Sequence, residues 1–159
     1  MKTSLVKGFG FGLTSGVITT LGIIVGLDSS THSRTVVLGG VLIIAIADAL
    51  SDALGMHVSQ ESDPKNTGRQ VWESTLMTLA AKFAFAMTFA VPFLILPLNS
   101  AVLACIAWGL LLISWFSYYI AKRTGQRPAY VISEHIIIAA LVIIATRLIG
   151  LWIAGLGWV

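Results

Sequence analysis

Five stretches of about twenty apolar residues, separated by short polar segments, fill almost the whole sequence. They fall at about 8–27, 35–57, 76–98, 101–120 and 130–153 of the 159 residues. A helix rises about 1.5 Å per residue, so each run is long enough to cross a hydrocarbon core of about 30 Å. The expected fold is therefore all-α, a single domain over 1–159 made as an integral membrane bundle of five transmembrane helices. Only 11% of the residues are charged. Soluble domains carry about 25%. No room remains for a separate soluble domain. Pro92 is expected to kink the third helix and Pro97 to end it.

The run 8–27 exceeds an ordinary signal-peptide core and lacks an A-x-A-like site, so it reads as the first span. The single cysteine, Cys105, lies in an apolar run and reads as a small core residue. A net charge of +3 does not point to nucleic acid, because the basic residues sit at the ends of the apolar runs. Lys2, Lys7, Lys65, Arg69, Lys122, Arg123 and Arg127 gather on one side, with only Arg34 and Arg147 toward the other. The positive-inside rule then puts the N-terminus in the cytosol and the C-terminus outside. Short loops favour a prokaryotic cell membrane. Gly8, Gly12 and Gly16, then Gly22 and Gly26, recur every four residues, which makes the first span a helix for close packing.

Chemistry is expected on the second span. An aspartate at a helix centre costs about 2.5–3.5 kcal/mol on insertion scales, so Asp48 and Asp52 together need a reason. Their i, i+4 spacing puts them on one face, where the charges repel unless they share a proton or hold a cation. Counted inward from the cytosolic ends, Thr14, Ser15, Asp48, Asp52, Glu134 and His135 fall in one layer, approached by Lys82, Tyr118 and Tyr119. Convergence of these groups would make an ion site, with Asp48, Asp52, Glu134 and Ser15 as ligands. Thr14, Met56, His57, Lys82 and His135 are then pathway or supporting residues. Lys82 has the alternatives of snorkelling to the interface or neutralising the aspartates. Oxygen-rich ligation without thiolates suits Mn²⁺, Fe²⁺ or Mg²⁺ better than Cu⁺.

The segment Gly12-Leu-Thr-Ser-Gly-Val-Ile-Thr-Thr-Leu-Gly-Ile-Ile-Val-Gly-Leu27 resembles the first-helix motif of the vacuolar iron transporter family. Ala47-Asp-Ala-Leu-Ser-Asp-Ala-Leu-Gly-Met-His57, followed by Glu61 and Ser62, is similar to that family's second-helix signature. The resemblance implies a five-helix protomer and a homodimer whose ion path is lined by helices one and two. It also implies export of Fe²⁺ or Mn²⁺ from the cytosol by proton antiport, with no permanently bound cofactor. Against the family pattern, Ser15 replaces an acidic residue, Asp52 a pathway methionine, Asp48 a small residue and Ile44 a glutamate. The family's glutamate-rich cytosolic domain is absent between 60 and 69.

Two other classes are weighed. Intramembrane aspartyl enzymes place their aspartates on facing helices, one in a Gly-x-Gly-Asp setting. Here both share one helix, and an enzyme is not expected. A non-transporting assembly or sensor subunit would use the glycine-lined first helix only for docking.

Overall fold

A computed structural model describes residues 3–157. They form α1 (Thr3–Thr31), α2 (Arg34–Glu61), α3 (Gly68–Thr88), α4 (Ala90–Ile95), α5 (Leu98–Thr124) and α6 (Pro128–Gly155). With α3 and α4 taken together as Gly68–Ile95, five helical stretches are long and apolar enough to cross a membrane, consistent with a multi-pass integral membrane protein. No strand occurs among the described residues.

Most helices run past the apolar stretches that announced them. The largest difference is at α3, which starts at Gly68 rather than 76. Its first turn is fixed by polar groups that cap each other. The Thr67 side chain accepts from the Gln70 backbone N–H, and Gln70 Oε1 accepts from the Thr67 N–H at 2.8 Å. At the same end of the bundle, Gly125 takes a left-handed φ of 70° to close α5, and Pro128 opens α6. Glycine after a helix end and proline at a helix start are the residues those backbone positions favour.

The kink expected from Pro92 lies one turn earlier, at Phe89. A proline lacks the N–H that would bond the carbonyl four residues back, and its ring crowds that carbonyl, here Thr88. The helix therefore breaks after Thr88, and the Phe89 N–H turns to Ala86 O at 3.1 Å. Pro97 repeats the effect, leaving Phe93 O without its helical donor. The Arg34 side chain at the start of α2 fills the gap, donating to Phe93 O from Nε at 2.5 Å and also from Nη2.

The core centres on α1, which packs against α2, α3, α5 and α6. Leu13, Val17, Leu21 and Ile24 are buried along it, with Phe89, Phe93 and Ile113 against them. The glycine repeat sets the approach to α3. A Cβ on Gly8 would stand 2.3 Å from Ser74 O, one on Gly12 2.6 Å from Thr78 O, and one on Gly16 3.2 Å from Lys82 Cγ. Two four-residue repeats thus mesh, Gly8, Gly12 and Gly16 against Ser74, Thr78 and Lys82. On α2, which packs on α3 and α1, the buried stripe is Val37, Val41, Ala45, Ala49 and Ala53, small at the level of the aspartates. On α6 only Val131, Ala139 and Gly150 are buried, leaving an aliphatic face turned outward.

Candidate functional site

Three helices bring four polar side chains to one point. α3 supplies Lys82, whose stem passes over Gly16 and whose side chain is 1% exposed. α2 supplies Asp48 and Asp52 from adjacent turns, and α1 supplies Ser15, the residue before that glycine. The Lys82 ammonium contacts Asp52 Oδ2 and lies 2.5 Å from Asp48 Oδ2. It also donates to Ser15 Oγ at 2.9 Å, while Ser15 donates to Asp52 Oδ2 at 2.6 Å. One hydroxyl therefore ties the cation to a carboxylate, accepting from one and donating to the other. The Asp48 contact is an ion pair off the line of a well-formed hydrogen bond, and Asp48 Oδ2 accepts no hydrogen bond from any described residue.

Burial and charge decide what this arrangement can do. An ammonium removed from water costs several kcal/mol unless ion pairs and hydrogen bonds replace hydration, and here three oxygens from two helices do so. Lysine does not snorkel to an interface at this position. With both carboxylates ionised and the lysine protonated, the cluster carries a formal charge of −1, so it can take up one further positive charge. The aspartates keep side-chain exposures of 26% and 21%, beside the outward face of α2. The cluster is open on the α2 side and closed on the α1–α3 side.

The other expected site residues do not join it. Glu134 is exposed on α6, beside a groove with Tyr130, Ser133, Ile137 and Ile138, and forms no hydrogen bond or ion pair with a described residue. His135, its neighbour, makes a 2.7 Å hydrogen bond with Ser117 Oγ that joins α6 to α5. Thr14 donates back to Gly10 O at 2.8 Å within its own helix. His57 packs edge-on against Trp72, its ring Nδ1 3.1 Å from Thr75 Oγ1, and so ties the end of α2 to α3. Met56 follows Asp52 on the same stripe of α2, half-buried. Tyr118 and Tyr119 are exposed, Tyr118 beneath the Lys122 ammonium. Among the described residues, no three His, Cys, Asp or Glu side chains are placed to hold a metal ion together. One chain offers two carboxylates and a hydroxyl, with an ammonium seated among them.

Sequence reasoning foresaw the aspartate pair, Ser15 and the level of Lys82. Pairing of Lys82 with the aspartates was only one alternative there, and the structure makes Lys82 the centre of the cluster. The signal was present in the matching four-residue spacings of Gly8, Gly12, Gly16 and Ser74, Thr78, Lys82. No protein-family model matches this chain, and no curated protein shows a significant match to it.

Proposed function

We propose that the protein is a multi-pass membrane transporter that moves a divalent cation of the Fe²⁺ or Mn²⁺ type out of the cytosol in exchange for protons. The observation carrying this reading is the buried Lys82 ammonium held by Asp48, Asp52 and Ser15. It is a cation already seated in an oxygen-lined place inside a bundle, and ionisable side chains at such depth mark ion and proton pathways. The likeness of segments 12–27 and 47–57 to the vacuolar iron transporter family supports the same reading.

Charge balance gives the exchange a form. A divalent ion between two ionised carboxylates is neutralised once Lys82 has given up its proton, with the Ser15 hydroxyl as a third oxygen. The empty site reaches the same total when Lys82 is protonated and the aspartates share one proton. One divalent ion therefore exchanges for two protons without moving net charge. A second copy of the chain, meeting the first through α1 and α2, would cover the open side of the aspartates and supply the ligands that one chain lacks. On this reading the basic ends near Lys7, Lys65, Arg69, Lys122, Arg123 and Arg127 face the cytosol.

Proteoliposomes loaded with a metal-quenched dye and a pH dye test the proposal together. Mn²⁺ or Fe²⁺ entry accompanied by proton movement in the opposite direction is expected for the unaltered protein. Asp48→Asn and Asp52→Asn should each lower the flux at least tenfold. Unchanged flux in both variants would remove the site, and no flux from the unaltered protein would favour an assembly subunit.

A further inference from the structure

Toward the end of the bundle where α1 finishes and α5 begins, the last turn of α1, the first turn of α5 and the C-terminal half of α6 line a cavity of about 310 Å³. Its polar wall is Asp28, Ser29, His32, Asn99 and Arg147, and its deeper wall is apolar, with Ile106 and Ile143. Two side chains of opposite charge, Asp28 and Arg147, line this space without pairing with each other. The Arg147 side chain is exposed and forms no hydrogen bond or ion pair with a described residue. Asp28 has a side chain 19% exposed, and its Oδ1 is buried without a hydrogen bond, 3.8 Å from His32 Nδ1. A buried carboxylate oxygen lacking a donor is costly in a membrane protein unless something occupies the cavity, and a guanidinium with five unused donors lines the same space.

We infer that this cavity binds the headgroup of a zwitterionic aminophospholipid, with the phosphate on Arg147 and the primary ammonium on Asp28. A bare cation is opposed by Arg147 and a bare anion by Asp28. A ligand carrying both charges satisfies each. Guanidinium to phosphate is a strong charge-assisted contact, and an ammonium brings three N–H donors to the carboxylate. A lipid is favoured over a free metabolite by the position of the cavity. Asp28 and Asn99 lie in terminal turns of their helices, at the level where headgroups sit, and Ile106 and Ile143 continue the wall toward the hydrocarbon. The inference needs the helices to span a membrane and does not depend on ion transport.

Native mass spectrometry of the purified full chain, titrated with equimolar dioleoyl phosphatidylethanolamine, phosphatidylcholine and phosphatidylglycerol, tests it. Phosphatidylethanolamine should be retained about tenfold over phosphatidylcholine, whose quaternary nitrogen has no N–H, as expected for the loss of a charge-assisted hydrogen bond. That comparison uses the unaltered protein and needs no variant to fold. Asp28→Asn should erase the discrimination against phosphatidylglycerol, and Arg147→Gln should lower retention of all three lipids. Equal retention of the three by the unaltered protein, or an unchanged preference in Asp28→Asn, would overturn the inference. Displacement of bound lipid by millimolar O-phosphoethanolamine would overturn the assignment to a lipid.

Discussion

Lys82 is held by three oxygens, and the consequence is energetic coupling among charges rather than a sum of pairs. Lys82→Met leaves two carboxylates facing each other without a counter-ion. Asp52→Asn leaves the ammonium with Asp48 and Ser15. Breaking a buried ion pair costs about 3–5 kcal/mol, and the partial exposure of both aspartates puts these variants at the lower end. Lys82→Met should be the more damaging single change in detergent-phase thermal unfolding. The double variant Asp52→Asn with Lys82→Met keeps one carboxylate and no buried cation, and should lose about 1–3 kcal/mol less than the two single losses combined. Additive losses would mean that the contact carries no coupling. At this scale the sequence was legible where spacing along one helix was enough, as for Asp48 and Asp52. It misled at Glu134, because counting residues from a helix end gives depth but not azimuth. Glu134 is at the expected height and on the outward side of α6, while its neighbour His135 turns inward to Ser117.

Helix packing explains how such a cluster can exist inside an apolar bundle. The meshed repeats of α1 and α3 let Ser74 donate to Ser4 O at 3.1 Å and Thr78 to Gly8 O at 3.3 Å, so two of the three steps leading to Lys82 are polar contacts between helices. The repeat on α1 was visible as glycines; its partner on α3 has the matching four-residue spacing, but Ser, Thr and Lys do not by type announce a helix contact as glycines do. The break in the third span was visible as Pro92, though its place follows from the carbonyl the ring displaces. Arg34 was read only as a charge setting orientation. It also satisfies Phe93 O, which Pro97 deprives of a donor, and this gives a reciprocal test. Arg34→Gln should cost about 1–3 kcal/mol by leaving that carbonyl unsatisfied. Pro97→Ala returns an N–H four residues on, so adding it to Arg34→Gln should recover much of the loss in thermal unfolding. A double variant no more stable than Arg34→Gln alone would show that the carbonyl does not need the guanidinium.

For the molecule as a whole, apolarity showed which segments are long and apolar enough to cross a membrane but not which faces meet protein, since lipid and core are equally apolar. Side-chain size separates them. The outward face of α6 carries Ile137, Leu141, Ile144 and Leu148, whereas that of α2 includes Ala47, Ser51 and Gly55 among its larger residues. A Cβ on Gly55 would meet nothing within 4 Å, so nothing within one chain requires a glycine there. Small residues let helices approach where dispersion rather than hydrophobicity drives association, and this stripe flanks the open side of Asp48 and Asp52. A homodimer built on α2 would thus complete the proposed ion site and cover its open side in one step. Cross-linking reads this directly. Cys105 is buried and is replaced by alanine to leave a background without thiols, into which Ala47→Cys or Leu141→Cys is introduced. Disulfides need Cβ atoms about 3.5–4.5 Å apart, which two copies of α2 can reach at a small-residue crossing and two α6 helices outside the interface would not. Oxidation in native membranes should give a covalent dimer from Ala47→Cys and little from Leu141→Cys. Equal cross-linking at both positions would mean random collision, and a dimer from Leu141→Cys alone would move the interface to α6 and leave the aspartates facing lipid.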